Sequence, residues 1–152
     1  MRRKILIGLL ILIIGIQFIR PTENNQDKMY VTDINITHPI PGSVQLILRK
    51  ACNDCHSNNS HYPWYSNIQP VGWWMTNHIN EGKKELNFAE FGTYSPKKQQ
   101  HKLEEIVKTV KSGEMPLNSY TWTHKDAILT QQEKELLVNW ADSLKRTIIV
   151  RD

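Results

Sequence analysis

The hydrophobic pattern takes three forms along the chain. From Ile5 to Ile19 it is nearly unbroken, ILIGLLILIIGIQFI, directly behind Arg2, Arg3 and Lys4. Cations followed by an apolar run are the mark of a signal peptide or a signal anchor. As a helix the run would extend about 22 Å, short of the roughly 30 Å hydrocarbon core, a gap that snorkelling of Arg2, Arg3, Lys4 and Arg20 can close. No A-x-A-like cleavage site follows and the run holds no cysteine for lipid attachment, which favours a retained anchor over a removed peptide. The positive-inside rule then places everything beyond Arg20 outside the cytoplasm. From Arg20 to Gly42 the chain is polar, broken by three prolines and without sustained periodicity, the composition of a tether.

Beyond the tether the apolar residues fall at helical spacing. Val44, Ile47, Leu48 and Ala51 predict a first amphipathic helix with Ser43 as N-cap, running straight into Cys52. A second starts near Pro70 and sets Val71, Trp74, Met75, His78 and Ile79 on one face. A third opens on Ser95-Pro96, aligns Leu103, Ile106, Val107 and Val110, and stops at Gly113. A fourth begins with the capping box of Thr130 and Glu133 and turns Leu137, Trp140, Ala141 and Leu144 inward. No segment after the tether alternates well enough for a strand, so the expected fold is all-α: about four helices over 43–146, a tail over 147–152, a tether over 21–42 and the apolar segment over 1–20. Ser57 to Gln69 and Glu114 to Leu129 are left as long loops, which in compact domains usually carry function.

A hydrophobic fraction of 39% and a charged fraction of 22% exclude wholesale disorder. The net charge of +4 raises the question of a nucleic-acid partner, but four of the 19 basic residues flank the apolar run. The remainder balances the 15 acidic residues, which leaves the folded part nothing with which to neutralise phosphates.

The only two cysteines are Cys52 and Cys55, and His56 follows. Cys52-Asn53-Asp54-Cys55-His56 is C-x-x-C-H, the spacing of covalent haem attachment. If the first helix continues through the motif, positions i, i+3 and i+4 share a face, so two thiols reach one edge of a porphyrin and the imidazole reaches its iron. A zinc site would need more ligands, with Cys52, Cys55 and His61 in range but no second pair to close a tetrahedron. A thioredoxin-like dithiol would need a βαβ setting, which is missing.

Iron held by His56 needs a partner on its other side. Met115, in the loop Gly113-Glu114-Met115-Pro116, offers a soft thioether sulfur as that ligand. Its rival is His78, on the apolar stripe of the second helix, where a lone histidine is more often a core residue or a hydrogen-bond donor to a propionate. His38, His61, His101 and His124 receive no role. The five tryptophans, Trp64, Trp73, Trp74, Trp122 and Trp140, are expected in the pocket wall or the core.

The succession ACNDCHSNN, YPWYSNIQPVGWW, HINEGKKELNF, SGEMPLNSYTWTHKDAILT and LLVNWA, from about Ser43 to Asp142, resembles a family of small bacterial haem-binding domains allied to monohaem c-type cytochromes. The resemblance implies one covalent haem c on Cys52 and Cys55, His56 as proximal ligand and Met115 as distal ligand, in a cytochrome c-like helical domain. Domains of that family sometimes accompany cytochrome c or di-haem peroxidase domains, so a separate peroxidase, oxidase or cytochrome is the expected partner besides the membrane. Single-electron transfer outside the cytoplasm, at the bacterial cytoplasmic membrane or in the periplasm after cleavage, is the leading expectation, with no bond-making catalysis. A haem sensor or peroxide-reacting protein with a weak or open sixth site is the alternative.

Overall fold

The computed structural model describes residues 1–26, 28 and 30–150. Among these residues the chain is all-helical: α1 (Arg2–Ile16), α2 (Ile34–Thr37), α3 (Gly42–Ala51), α4 (Asn53–His56), α5 (Val71–Glu85), α6 (Pro96–Ser112), α7 (Asn118–Thr121) and α8 (Gln131–Thr147), with short 3-10 turns between them. Among the described residues the sole β feature is an isolated antiparallel bridge between Asn25 and Asn59.

The frame is the pair α6 and α8, which make the most extensive helix–helix contact, with α3 laid against α8. Both long helices start where their caps dictate. Ser95 Oγ accepts from Lys98 N at 3.3 Å, and Thr130 and Glu133 form the reciprocal capping box. Gly113 ends α6 at φ 78°, a left-handed conformation that glycine adopts without a Cβ penalty. Leu103, Ile106 and Val110 from α6 meet Leu137, Ala141 and Leu144 from α8, joined by Val44, Ile47 and Leu48 of α3. Each is buried to a degree at which truncation to alanine costs about 2–5 kcal/mol for the leucines.

Several sequence expectations change. α3 begins at Gly42, with Pro41 in the cap position and no side-chain cap, so Ser43 lies inside the helix rather than before it. The segment expected to be a free tether is tied down in both halves: Asn24 N donates to Tyr62 Oη at 2.7 Å and Asn24 O accepts from Ser60 N at 2.9 Å. Asp33 caps α2, Ile34 is fully buried in the core, and Thr32 O accepts from Gly92 N at 2.8 Å. Ile34 belongs to a stretch too short and too irregular for periodicity to mark it as core. The loops contain structure of their own, with 3-10 turns at Trp64–Asn67 and Lys125–Ala127 and the single turn of α7 between them. A further 3-10 turn, Phe88–Thr93, places Phe88 and Phe91 in the core.

α5 runs as expected from Pro70, but its inner face is not the expected stripe. Gly72 and Ile79 are buried, Met75 and His78 are half-buried, and Val71 and Trp74 are exposed. The face is set by what α5 packs on, the turn Trp64–Asn67 and α4, rather than by the main core.

α1 is a 15-residue helix with no buried residue, and all its leucines and isoleucines except the half-buried Ile16 are exposed. No helix among the described residues is long and apolar enough to cross a membrane. The expected anchor is therefore a helix one or two turns shorter than a full span. Its C-terminal end is fastened to the start of α5. Gln17 and Gln69 exchange two hydrogen bonds, at 3.1 and 2.9 Å, and Trp73 Nε1 donates to Ile19 O at 2.8 Å.

Candidate functional site

The motif Cys52-Asn53-Asp54-Cys55-His56 does not continue α3. Cys52 N still donates to Leu48 O at 2.9 Å, but at Cys52 the backbone turns to φ −129° and α4 begins as a separate turn. Cys52 O accepts from both Cys55 N (3.2 Å) and His56 N (3.0 Å), so one helical turn still carries both thiols and the imidazole. The break changes the direction of that turn and brings it onto α5.

The turn forms one wall of a cavity of about 460 Å³, within the size range of small-molecule and cofactor sites. Cys52, Cys55, His56, His78 and Met115 all line it. Residues 63 positions apart in sequence thus converge because α5, α6 and the segment after Gly113 surround the turn. Most of the remaining surface is apolar, from Leu48, Leu86, Ile106 and Leu137 with the rings of Phe88 and Tyr120, and charged side chains including Glu81, Glu85, Lys102 and Glu105 also line it. None of the five tryptophans lines it. Trp140 is in the core, Trp64 and Trp122 are largely exposed, and Trp74 lies against His78 with ring centroids 4.4 Å apart. Of the expectation that the tryptophans lie in the pocket wall or the core, Trp140 meets the second part and none meets the first.

His56 is held firmly. Its Nδ1 lies 2.9 Å from Gly82 O and 3.0 Å from Leu86 O, and both are acceptors, so Nδ1 carries the proton and Nε2 keeps its lone pair. Burial lowers the pKa of the ring, partly opposed by those two carbonyls. A neutral imidazole with Nδ1–H fixed by backbone and Nε2 on a cavity is the form in which histidine ligates a metal.

The two cysteines are free thiols, not a disulfide. Burial, with repulsion from Cys55, pushes the Cys52 thiol up to about 12, and burial, with Asp54 beside it, pushes Cys55 up to about 11. Both are protonated at neutral pH, unlike the activated thiolate of a redox dithiol. In the haem-free protein Cys55, ordinarily near 9.0, should carry roughly 100-fold less thiolate at pH 8 than an unperturbed thiol. Iodoacetamide should label both cysteines correspondingly slowly, and labelling at the rate of a free thiol would contradict that electrostatic environment.

His78 Nδ1 is 2.9 Å from Trp74 O in its own helix, which leaves Nε2 as the atom with a lone pair to offer. Met115 N donates to Thr109 O at 3.1 Å, fastening the loop back onto α6, and the Met115–Pro116 peptide is cis. His38, His61, His101 and His124 do not line the cavity.

Sequence reasoning missed three groups. Asp54, inside the motif, accepts from Tyr120 Oη at 2.7 Å and from His61 N at 3.0 Å, so it ties both loops to α4. Burial and the Asp54 carboxylate push the Tyr120 phenol well above its ordinary range, so it stays a donor. The Gly82 and Leu86 carbonyls are backbone groups and leave no trace in side-chain patterns. Lys102, on the cavity wall, is mostly buried. Burial disfavours its charge, but hydrogen bonds to Glu105 (2.7 Å) and Glu85 (3.4 Å) outweigh that and keep it a cation.

A sequence profile for a haem-binding domain matches residues 11–143, most of the chain. The chain belongs to this haem-binding domain family. No curated protein and no solved structure matches it. The residues of this haem-binding domain fit its cofactor: an imidazole with a free Nε2, two protonated thiols one turn apart and an apolar cavity lie together. No group of three or more His, Cys, Asp or Glu among the described residues is arranged to hold a metal ion directly. The zinc alternative thus gains no support from the geometry.

Proposed function

We propose that this haem-binding domain carries one haem c, attached through Cys52 and Cys55, with His56 and Met115 as axial ligands, and that it passes single electrons outside the cytoplasm. The observation that carries this reading is the pair of carbonyls fixing His56 Nδ1–H beside two thiols on one cavity wall. Haem iron would supply the one-electron couple. The chain supplies what surrounds it. Cys52 and Cys55 hold the porphyrin edge, His56 offers Nε2, and Leu48, Leu86, Phe88 and Ile106 keep water from the centre. Lys102 is a cation within reach of carboxylate groups at the cavity edge.

Membrane attachment is part of the proposal. Its support is the exposed apolar α1 behind three cations and the fastening of its end to α5 through Gln17 and Trp73. At about 22 Å the helix needs Arg2, Arg3, Lys4 and Arg20 to reach the headgroups. Its electron partners are other cytochromes or a separate peroxidase or oxidase.

A second reading has an observation of its own: His78 shares the cavity with Met115, so the sixth position has two contenders. A site held weakly by both would act as a sensor or react with peroxide. The ferric protein separates the readings. A carrier with two strong ligands should bind cyanide slowly and weakly, whereas ready binding, as in an open-site haem, would overturn electron transfer as the function.

A further inference from the structure

α5 reaches the motif with its C-terminal end, and what it presents there is backbone. Gly82 O accepts from Leu86 N at 2.9 Å, closing the last turn, and from His56 Nδ1 at 2.9 Å. Leu86, just past the helix at φ −149°, presents its own carbonyl to the same proton at 3.0 Å. The last carbonyls of a helix carry its partial negative charge, of order half an electron. His56 therefore sits at the negative end of a 15-residue helix.

The approach depends on residue 82 having no side chain. A Cβ there would lie 2.8 Å from Cys55 O, 3.1 Å from Cys55 Cβ and 3.3 Å from its carbonyl carbon. Those atoms belong to the turn that holds both thiols, so they cannot yield as the end of a flexible side chain would.

From these contacts we infer that Gly82 is a positioning residue for the haem centre: it lets the end of α5 touch the Cys52–His56 turn, so that the Gly82 and Leu86 carbonyls together set the electron-donating strength of His56 and, through it, the reduction potential. The inference rests on the haem reading above. A hydrogen bond from the distal ring nitrogen to an electron-rich acceptor makes a histidine more basic toward its metal. A stronger donor favours the more positively charged iron, so two carbonyls at a helix C-terminus hold the potential below the value one water-facing histidine would give. The control lies outside C-x-x-C-H, in an element whose sequence shows only a glycine within a helix.

The test is Gly82→Ala in the full-length chain, produced with the cytochrome c maturation machinery. Cys52, Cys55 and His56 are untouched, so covalent haem should be retained. The midpoint should move towards the reduced form by about tenfold in the equilibrium constant, 59 mV for one electron. The His56 ring Nδ1–H should exchange slowly with solvent in the unaltered protein and faster in the variant. Gly72→Ala is the comparator: its Cβ would lie 2.4 Å from Ser66 O, a tighter clash far from His56, and it should leave the midpoint unmoved. If Gly82→Ala does not fold, the unaltered protein still decides. A ring N–H exchanging as fast as that of free imidazole overturns the inference. Haem present with an unmoved midpoint in Gly82→Ala overturns this inference alone, while an unaltered chain without haem overturns the haem reading and this with it.

Discussion

A chain carrying Cys52→Ala and Cys55→Ala should leave a haem-ligating host with no porphyrin that survives acid–acetone extraction, while each single variant keeps one covalent link and a red-shifted reduced α-band. Both thiols line the same cavity and neither is in a disulfide. Cys52 packs against the core and Cys55 lies on the Gly82 side of the turn. Losing a sulfur there costs about 1 kcal/mol, on the scale of one buried methylene. The double variant should therefore fold and can be purified for the extraction. Retained, inextractable haem in the double variant would place the attachment elsewhere.

The second large effect is at the sixth position. Met115→Ala should remove the far-red sulfur-to-iron charge-transfer band and lower the midpoint potential by on the order of 100 mV, within the roughly 0.8 V that axial ligands span. The reason is the softness of the thioether, which favours the ferrous state. His78→Ala should leave band and potential nearly unchanged, because the His78 ring is held against the Trp74 indole, with centroids 4.4 Å apart. The converse pattern, with Met115→Ala silent and His78→Ala altering the spectrum, would make His78 the ligand.

The long helices and their ends were legible because each carries both a stripe and a local stop or start signal. Ser95-Pro96, Gly113 and the Thr130–Glu133 box act through hydrogen bonds a few residues long, which sequence spacing encodes directly. The five candidate site residues also meet at one cavity, since the motif and the Met-Pro loop both follow the ends of core helices. What escaped was non-local. The turn away from α3 at Cys52 answers to contact with α5, and Ile34 is core because the 3-10 turn at Phe88–Thr93 covers it. The tryptophans misled because large aromatic side chains are equally at home in a pocket, a core or an exposed surface, and only packing partners decide. The proton of His56 is fixed by two main-chain oxygens, a kind of contact to which side-chain identity is blind.

The most direct measurement is the intact mass of the full-length protein exported from a host competent in haem ligation. A gain equal to one porphyrin, mapped by fragmentation to the peptide holding Cys52 and Cys55, is the result predicted here. An unmodified polypeptide mass from that host, with both thiols still free to alkylate after unfolding, would contradict covalent haem attachment at its root.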